Sequence, residues 1–381
     1  MKIQSQDIYI LSELQKNPYQ SIRALAKNIK VKKDRVFRSL KKFKTYLGLQ
    51  PDYWVNYPKI GLKPFTLIVK CPYQKIGKVV AVLKNPYLLE LFFSASGEGV
   101  YILAKYVFPE NFNMKPVLGL MKSWNWIKES YLTYVKSEGY NLSFHYFNYL
   151  NQSWVIKWLY WGLMIKDVLI NQEASELFPQ VNMIDYSKSE YDIHTVENIN
   201  LLKEITLNPQ SSISKIAFSN KLKLAEAYNI RRFSVEKNIL KKFYRVNCQM
   251  AGLRDRIAVI VKTADLNIMR SILNGFLLLP ECCFYNVTGE LEGLIILISL
   301  PYGGLGKIHN ILSDYLFDKL DSYWLLPLFR EQKVNLIPPT TLLDENLNWK
   351  RLTIIKDKKI ILYEDYAENL RLPELKIGIQ G

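Results

Sequence analysis

The sequence predicts an α+β protein: two tandem copies of a unit in which a (winged) helix-turn-helix precedes a ferredoxin-like βαββαβ sandwich, closed into an intramolecular pseudo-dimer. Three observations predict it. First, the charge is local. The 381 residues carry a net +16, and residues 1–50 (+9) and 201–250 (+7) hold all of it, leaving a near-neutral body. Second, a shift of 191 residues, half the length, superimposes the two basic blocks without a gap. Leu11, Glu13, Asn17, Pro18, Ser21, Ile22 and Ala26 fall on Leu202, Glu204, Asn208, Pro209, Ser212, Ile213 and Ala217. Third, short β-rich apolar runs alternate with helical stretches after each basic block, in the order strand-helix-strand-strand-helix-strand.

The elements follow in order. Asp7 to Lys16 reads as a helix burying Ile10, Leu11 and Leu14, ended by Asn17-Pro18. Ser21 caps a second helix whose Ile22, Leu25 and Ala26 face inward. A turn at Ile29 to Val31 leads to a third helix, about Lys32 to Tyr46. On it Val36, Leu40, Phe43 and Leu47 form a core stripe, and Lys32, Arg35, Arg38, Ser39 and Lys42 form a second stripe suited to a major groove. The repeat continues through Lys30 and Lys32 on Lys221 and Lys223, Tyr53-Trp-Val-Asn56 on Tyr244-Arg-Val-Asn247, and Gly61-Leu62 on Gly252-Leu253.

In the first sandwich the strands are Phe65 to Val69, Leu88 to Phe93, Val100 to Phe108 and a last one near Tyr131 to Val135. Helices reach Leu83 and lie around Met114 to Met121. The second sandwich repeats this with strands Ile257 to Val261, Cys282 to Val287, Leu294 to Leu300 and Tyr323 to Leu328, and helices 266–274 and 305–317. Domain limits are then 1–52, 53–140, 141–195 (an apolar helix and an acidic linker over 168–192), 196–243, 244–330 and a C-terminal extension 331–381. Leu352 to Glu364 reads as a hairpin turning at Asp357-Lys358. Asn151-x-x-Trp154 and Asn346-x-x-Trp349 look like one more echo.

The pattern Asp7-x-x-Ile10-Leu11-x-x-Leu14-x-x-Asn17-Pro18, Ser21-Ile22-x-x-Leu25-Ala26, Val31 and Val36-x-Arg38 resembles archaeal members of the leucine-responsive (Lrp/AsnC) regulators. The resemblance covers roughly residues 5–135 and 196–328 and is tightest over the first helical module. It implies a sequence-specific, duplex-DNA-binding transcription regulator rather than an enzyme, without a cofactor or metal, cytoplasmic, free to self-associate and responsive to a small-molecule effector. Linker strands 53–57 and 244–248 should pair antiparallel across the pseudo-two-fold, with the sandwiches packed sheet to sheet. DNA contacts fall to Lys32, Lys33, Arg35, Arg38, Ser39 and Lys42. In the second copy they fall to Lys221, Lys223, Asn229, Arg231, Arg232, Lys241 and Lys242, where Glu226 and a broken apolar register leave mainly phosphate contacts. The turns Ser96-Gly97-Glu-Gly99 and Thr288-Gly289 to Gly293 match the family's effector region. Lys32 departs from the family's usual Ser, and the usual single copy is here fused in tandem.

Other chemistry is sparse. His145, His194 and His309 have no metal-ligand spacing, and there is no Cys-x-x-Cys among the four cysteines. Tyr302-Gly303-Gly304-Leu-Gly306 could cradle an anion but reads better as loop. Cys282-Cys283 and the aromatic run Phe144 to Trp161 read as packing. Trp154 to Ile165 is too short and too charged for a membrane span. An enzyme reading stands beside the regulator: some proteins of this architecture decarboxylate sirohaem, as paired related subunits. Scarce histidine and a neutral sandwich argue against it. An architectural DNA-binding protein without sequence preference is the third reading.

Overall fold

A computed structural model describes residues 2–110, 112–171, 182–186, 195–316, 320, 322–334, 336–350, 355–356 and 359–360. The first helix-turn-helix is α1 (Ser5–Lys16), α2 (Ile22–Asn28) and α3 (Lys33–Leu47). Ser21 caps α2 by accepting from the Ala24 amide at 3.1 Å, as its residue type predicts. Strand β1 (Gln50–Val55) follows. The first sandwich is β2 (Lys63–Cys71), α4 (Ile76–Leu83), β3 (Leu88–Ser96), β4 (Gly99–Phe108), α5 (Lys115–Ser123) and β5 (Glu129–Leu142). A small hairpin, β6 (Phe147–Asn148) and β7 (Ser153–Trp154), leads to α6 (Trp158–Asn171) and strand β8 (Asn182–Asp185).

The second copy repeats the order. Its helix-turn-helix is α7 (Val196–Leu207), α8 (Ile213–Ser219) and α9 (Leu224–Glu236), followed by β9 (Leu240–Arg245). Its sandwich is β10 (Asp255–Lys262), α10 (Leu266–Leu277), β11 (Glu281–Gly289), β12 (Gly293–Leu300), α11 (Gly304–Leu316) and β13 (Ser322–Pro327). Strand β14 (Arg330–Lys333) and a last hairpin, β15 (Ile355–Lys356) and β16 (Lys359–Ile360), complete the described chain. Ile355 pairs with Ile360 and Lys356 with Lys359; the predicted turn at Asp357-Lys358 and the rest of 352–364 lie outside the described residues.

The duplication is visible in backbone detail. Lys30 (φ 54°) and Lys221 (φ 56°) occupy the same left-handed position in the turn before each third helix. The linker strands pair antiparallel, with Asp52 opposite Phe243 at the centre of the register. This is the predicted pairing, begun three or four residues earlier in each copy. The aromatic echo also holds. The Trp154 indole donates to the carbonyl of Ala251 at 3.0 Å, and the Trp349 indole donates to that of Ile60 at 2.5 Å. Each post-sandwich segment therefore clasps the turn after the other copy's linker strand.

The sheets differ from two closed sandwiches. They form one ten-stranded sheet along β13-β10-β12-β11-β5-β2-β4-β3-β14, with β8 beside β5. The cause is the length of β5: its first half pairs with β2 and its second half with β11 of the other copy. Across the dyad, β13 pairs with β10 and β14 returns to β3. The predicted limit at residue 331 thus falls inside a sheet strand, and the acidic stretch 168–192 contributes the end of α6 and β8 rather than only a linker. The facing halves of the sheet enclose Ile68, Ala258, Ile260, Ile295 and Leu326, all buried. The first helical module packs on Phe243, Val246, Ala251 and Leu253 of the second copy. Among the described residues no helix is long and apolar enough to cross a membrane.

Candidate functional site

Beneath the paired linker strands, where the two sheets meet at the pseudo-dyad, lies a polar chamber of about 70 Å³. Its walls carry Lys105, Arg245, Arg256 and Lys333 against Asp52, Glu90, Glu281 and Glu331, with Trp54, Tyr140, Phe243 and Tyr285 between them. It shares Asp52, Lys333 and Leu336 with an outer cleft of about 470 Å³, bounded by Gln50 and the turn Thr206 to Ser211 of the second helix-turn-helix. That outer volume lies within the roughly 300–1,000 Å³ of small-molecule sites.

Buried charges persist only when partnered. Arg245 donates to Asp52 at 3.3 Å, Arg256 pairs with Glu331, and Lys105 pairs with buried Glu138. Burial works to lower the Lys105 ammonium, but Glu138 and Glu90 outweigh it and raise it above its ordinary 10.5. Glu281 accepts from Cys248 (2.6 Å), Ser299 (2.6 Å) and Tyr140 (3.2 Å). Burial, reinforced by Glu281, pushes the Cys248 thiol up to about 12, so it stays a donor. Burial also pushes the Cys283 thiol up to about 12. Burial drives Glu90 upward, yet Lys333, Lys105, Arg245 and Arg256 together hold it below 4.5. Lys333 is the loosest member. It is 40% exposed, and its ammonium lies 3.7 Å from Asp52 and 4.0 Å from Glu90.

The predicted DNA-contact residues divide. Lys32, Lys33 and Arg38 are exposed on or beside α3, as expected, but the stripe is not intact. Ser39 is fully buried and donates to Asp7 at 2.6 Å; Lys42 is buried and reaches Asp7 at 2.8 Å; Arg35 lies 3.0 Å from the same carboxylate. Burial raises the Asp7 carboxyl, but its bonds with Lys42, Ser39 and the Gln4 amide hold it below 3.8. Ser39 and Lys42 are therefore interior residues, a correction to the predicted face. The outward basic face is Lys33, Arg38, Lys41 and Lys44 around Phe37, which is 58% exposed.

In the second module Lys221, Lys223, Asn229 and Arg232 are exposed and Arg231 is half-buried beside Tyr53 and Tyr19. Lys241 and Lys242 lie not on a recognition face but half-buried on β9. Lys241 donates to the Met183 carbonyl at 2.8 Å. Burial, with Arg231 nearby, lowers Lys242 to about 8.

The predicted effector turns line neither cavity. Ser96 donates to Gly99 across its own turn at 3.1 Å, and Gly97 is open to solvent. Gly99 and Gly293 are glycines because a Cβ there would meet the carbonyl oxygens of Cys71 and Val261 at 2.3 and 2.0 Å. Thr288 and Gly289 pair with Tyr134 and Thr133 on β5. The N-terminus of α11 is filled internally, since the Gly304 amide donates to Asp255 at 2.8 Å. His145 and His309 are exposed, and His194 lies outside the described residues. The chamber itself escaped sequence reading: its charges are scattered from Asp52 to Lys333 and share no motif.

No protein-family model and no curated protein matches the sequence. Solved structures do. A siroheme decarboxylase, NirDL, is 12% identical, covering 88% of this chain and 94% of its own, with a TM-score of 0.45. The same enzyme with an iron-uroporphyrin III analogue gives 12%, 87%, 94% and 0.46. Escherichia coli AsnC is 12% identical over 36% of this chain and 93% of its own, with a TM-score of 0.29. At such identities the likeness is one of fold. It nevertheless corrects one expectation: the structures that match along nearly the whole chain are named as an enzyme, so this frame gives no ground for excluding catalysis. By its own geometry the chain is a tandem duplicate with an Lrp/AsnC-like fold, each copy a helix-turn-helix followed by a ferredoxin-like unit.

Proposed function

We propose that this chain is an enzyme acting on a carboxylated small molecule at the pseudo-dyad chamber, and that the reaction is decarboxylation of a sirohaem-type tetrapyrrole. The observation that carries the reading is the convergence of Arg245, Arg256, Lys105 and Lys333 on one chamber that opens through Lys333 into a ligand-sized cleft. Cations there suit carboxylate side chains. Loss of carbon dioxide breaks a carbon–carbon bond and leaves its electron pair on carbon, which must then take a proton. Tyr140, Tyr285 and Cys283 are held protonated by burial and line the same space. Anaerobic incubation with sirohaem, followed by mass spectrometry, tests it. Products lighter by carbon dioxide are expected, and an unchanged substrate refutes it.

One observation favours a second reading, duplex-DNA binding. Lys33, Lys41 and Lys44 are exposed on α3 and form no ion pair among the described residues. A free cationic helix face displaces counterions from a phosphate backbone. Binding measured across salt concentrations tests it; a flat response removes it.

A further inference from the structure

The duplication relates positions of the chamber to mates, and most of the mates have diverged. The sheet register fixes the correspondence: Phe93 faces Arg330 and Phe284 faces Gly139, each residue lying 191 from its counterpart. Glu90 and Glu281 are then mates and are both acidic. The other pairs are split. Lys333 faces Glu90, whereas Leu142 faces Glu281. Glu331 corresponds to Tyr140, and Arg245 to Trp54. Asp52 and Lys105 run the other way, with Phe243 and Ser299 as their mates, so neither the charge nor the aromatic surface of the chamber repeats across the pseudo-dyad. Trp54 stacks on Phe243 at 4.3 Å and Tyr140 stands 5.0 Å from the same ring.

The two carboxylates differ as well. Glu281 is satisfied by three donors. Among the described residues Glu90 has only Lys333, at 4.0 Å, as an ion-pair partner. The Lys333 ammonium is beyond hydrogen-bond reach of both its acidic neighbours and has no hydrogen bond among the described residues, which leaves donors for an incoming oxygen anion.

Resting on the reading above, we propose that each chain holds one ligand, not two, and holds it in one orientation: carboxylate on Lys333, where chamber and cleft join, with one edge of its ring system toward Trp54, Tyr140 and Phe243 and its bulk in the outer cleft. The ligand class is an aromatic or macrocyclic carboxylate. Lys333 is its specificity-determining residue, and Asp52 and Glu90 keep that lysine in place while the site is empty.

The test is calorimetry with tryptophan fluorescence on the full chain, titrated with iron–uroporphyrin III, its methyl ester and naphthalene-1-acetate. One equivalent of a free acid is expected to bind and quench fluorescence, with the ester at least tenfold weaker. Lys333→Met should weaken the acid at least tenfold and Lys333→Arg should restore most of it. Leu142→Met, at the mate position, should leave binding unchanged, and unaltered melting temperatures exclude unfolding. Two equivalents per chain, an unaffected Lys333→Met, or binding of neither acid overturns the proposal. Binding of naphthalene-1-acetate without the porphyrin sustains it and removes the tetrapyrrole reading instead.

Discussion

The two helix-turn-helix modules share a backbone and solve its interior differently. In the first, Asp7 on α1 gathers Arg35, Ser39 and Lys42 from α3 into a buried ionic cluster. In the second, the corresponding positions are Asn198, Glu226, Ile230 and Phe233, and Ile230 and Phe233 pack against the apolar core. Their outer faces diverge too. Around Phe37, α3 exposes Lys33, Arg38, Lys41 and Lys44, with Asp34 the acid among them. Around Tyr228, α9 exposes Arg232 with Glu226 and Glu236. One module holds its helices with charge and presents charge on its third helix. The other holds them by packing, and its third helix is near neutral, its exposed lysines Lys215, Lys221, Lys223 and Lys237 lying off that helix. A buried ion cluster depends on every member, because removing one leaves the others desolvated without a partner. An apolar contact degrades gradually.

The largest expected effect breaks that comparison at its centre. Asp7→Ala leaves Lys42 buried without its partner and should cost about 3–5 kcal/mol. Hydrogen exchange should report the loss in α1 and α3, with α7 to α9 unaffected. Asn198→Ala at the mate position should cost under about 0.5 kcal/mol. The same contrast appears with pH. The folded-state pKa of Asp7 is depressed, so its contribution is complete above the unfolded value and is lost as pH falls through the lowered one. The first module should therefore melt first on acidification below pH 3.8, read as earlier exchange in α1 and α3.

Next in size is the outer face. If α3 grips duplex DNA, Arg38→Ala should cost about 1–3 kcal/mol on a preferred site and less on scrambled duplex. Changing Lys33, Lys41 and Lys44 together should flatten the salt dependence, by about 0.9 in slope for each phosphate left unneutralised. Arg232→Ala on α9 should change binding far less. Fluorescence anisotropy on both duplexes measures all three, and equal losses from α3 and α9 would mean that the modules are equivalent in DNA binding.

The clasps sharpen the comparison from the other side, since here the copies agree. Trp154→Phe and Trp349→Phe each remove one buried hydrogen bond and should each cost about 1 kcal/mol in urea denaturation. A large inequality would show that the pseudo-symmetry is one of shape without shared energetics. Smallest of all, Lys242→Ala should leave the salt dependence of DNA binding intact, because its side chain lies over the Tyr244 ring on the linker strand.

Much of the frame was legible because its signals are local. Helix periodicity, the caps at Ser21 and Ser212 and the paired Gly-Leu steps all act within a few residues. The echo of Trp154 in Trp349 was legible too, though not the indole contacts that the two make. What escaped was non-local. Nothing in Glu129 to Leu142 announces that half of the strand belongs to the other copy's sheet, because its second partner, β11, lies more than a hundred residues further along the chain. Ser39 and Lys42 read as groove-facing because polar residues on amphipathic helices usually lie outside. Their burial follows from meeting Asp7, which pattern along a single helix does not encode. The chamber is the extreme case, assembled from residues nearly 300 positions apart.

The reciprocal exchange of β5 and β14 also sets a timetable for synthesis. By the time the first sandwich has left the ribosome, β3 has β4 on one side and nothing on the other, because its second partner, Arg330–Lys333, has not yet been made. Phe92 and Phe93, buried in the finished protein, flank that open edge. An exposed strand edge with apolar neighbours is a template for pairing with other nascent chains. The second half of β5 waits in the same way for β11. The order of translation thus leaves the amino-terminal half an incomplete sheet for most of its synthesis, and the last strand to arrive closes it.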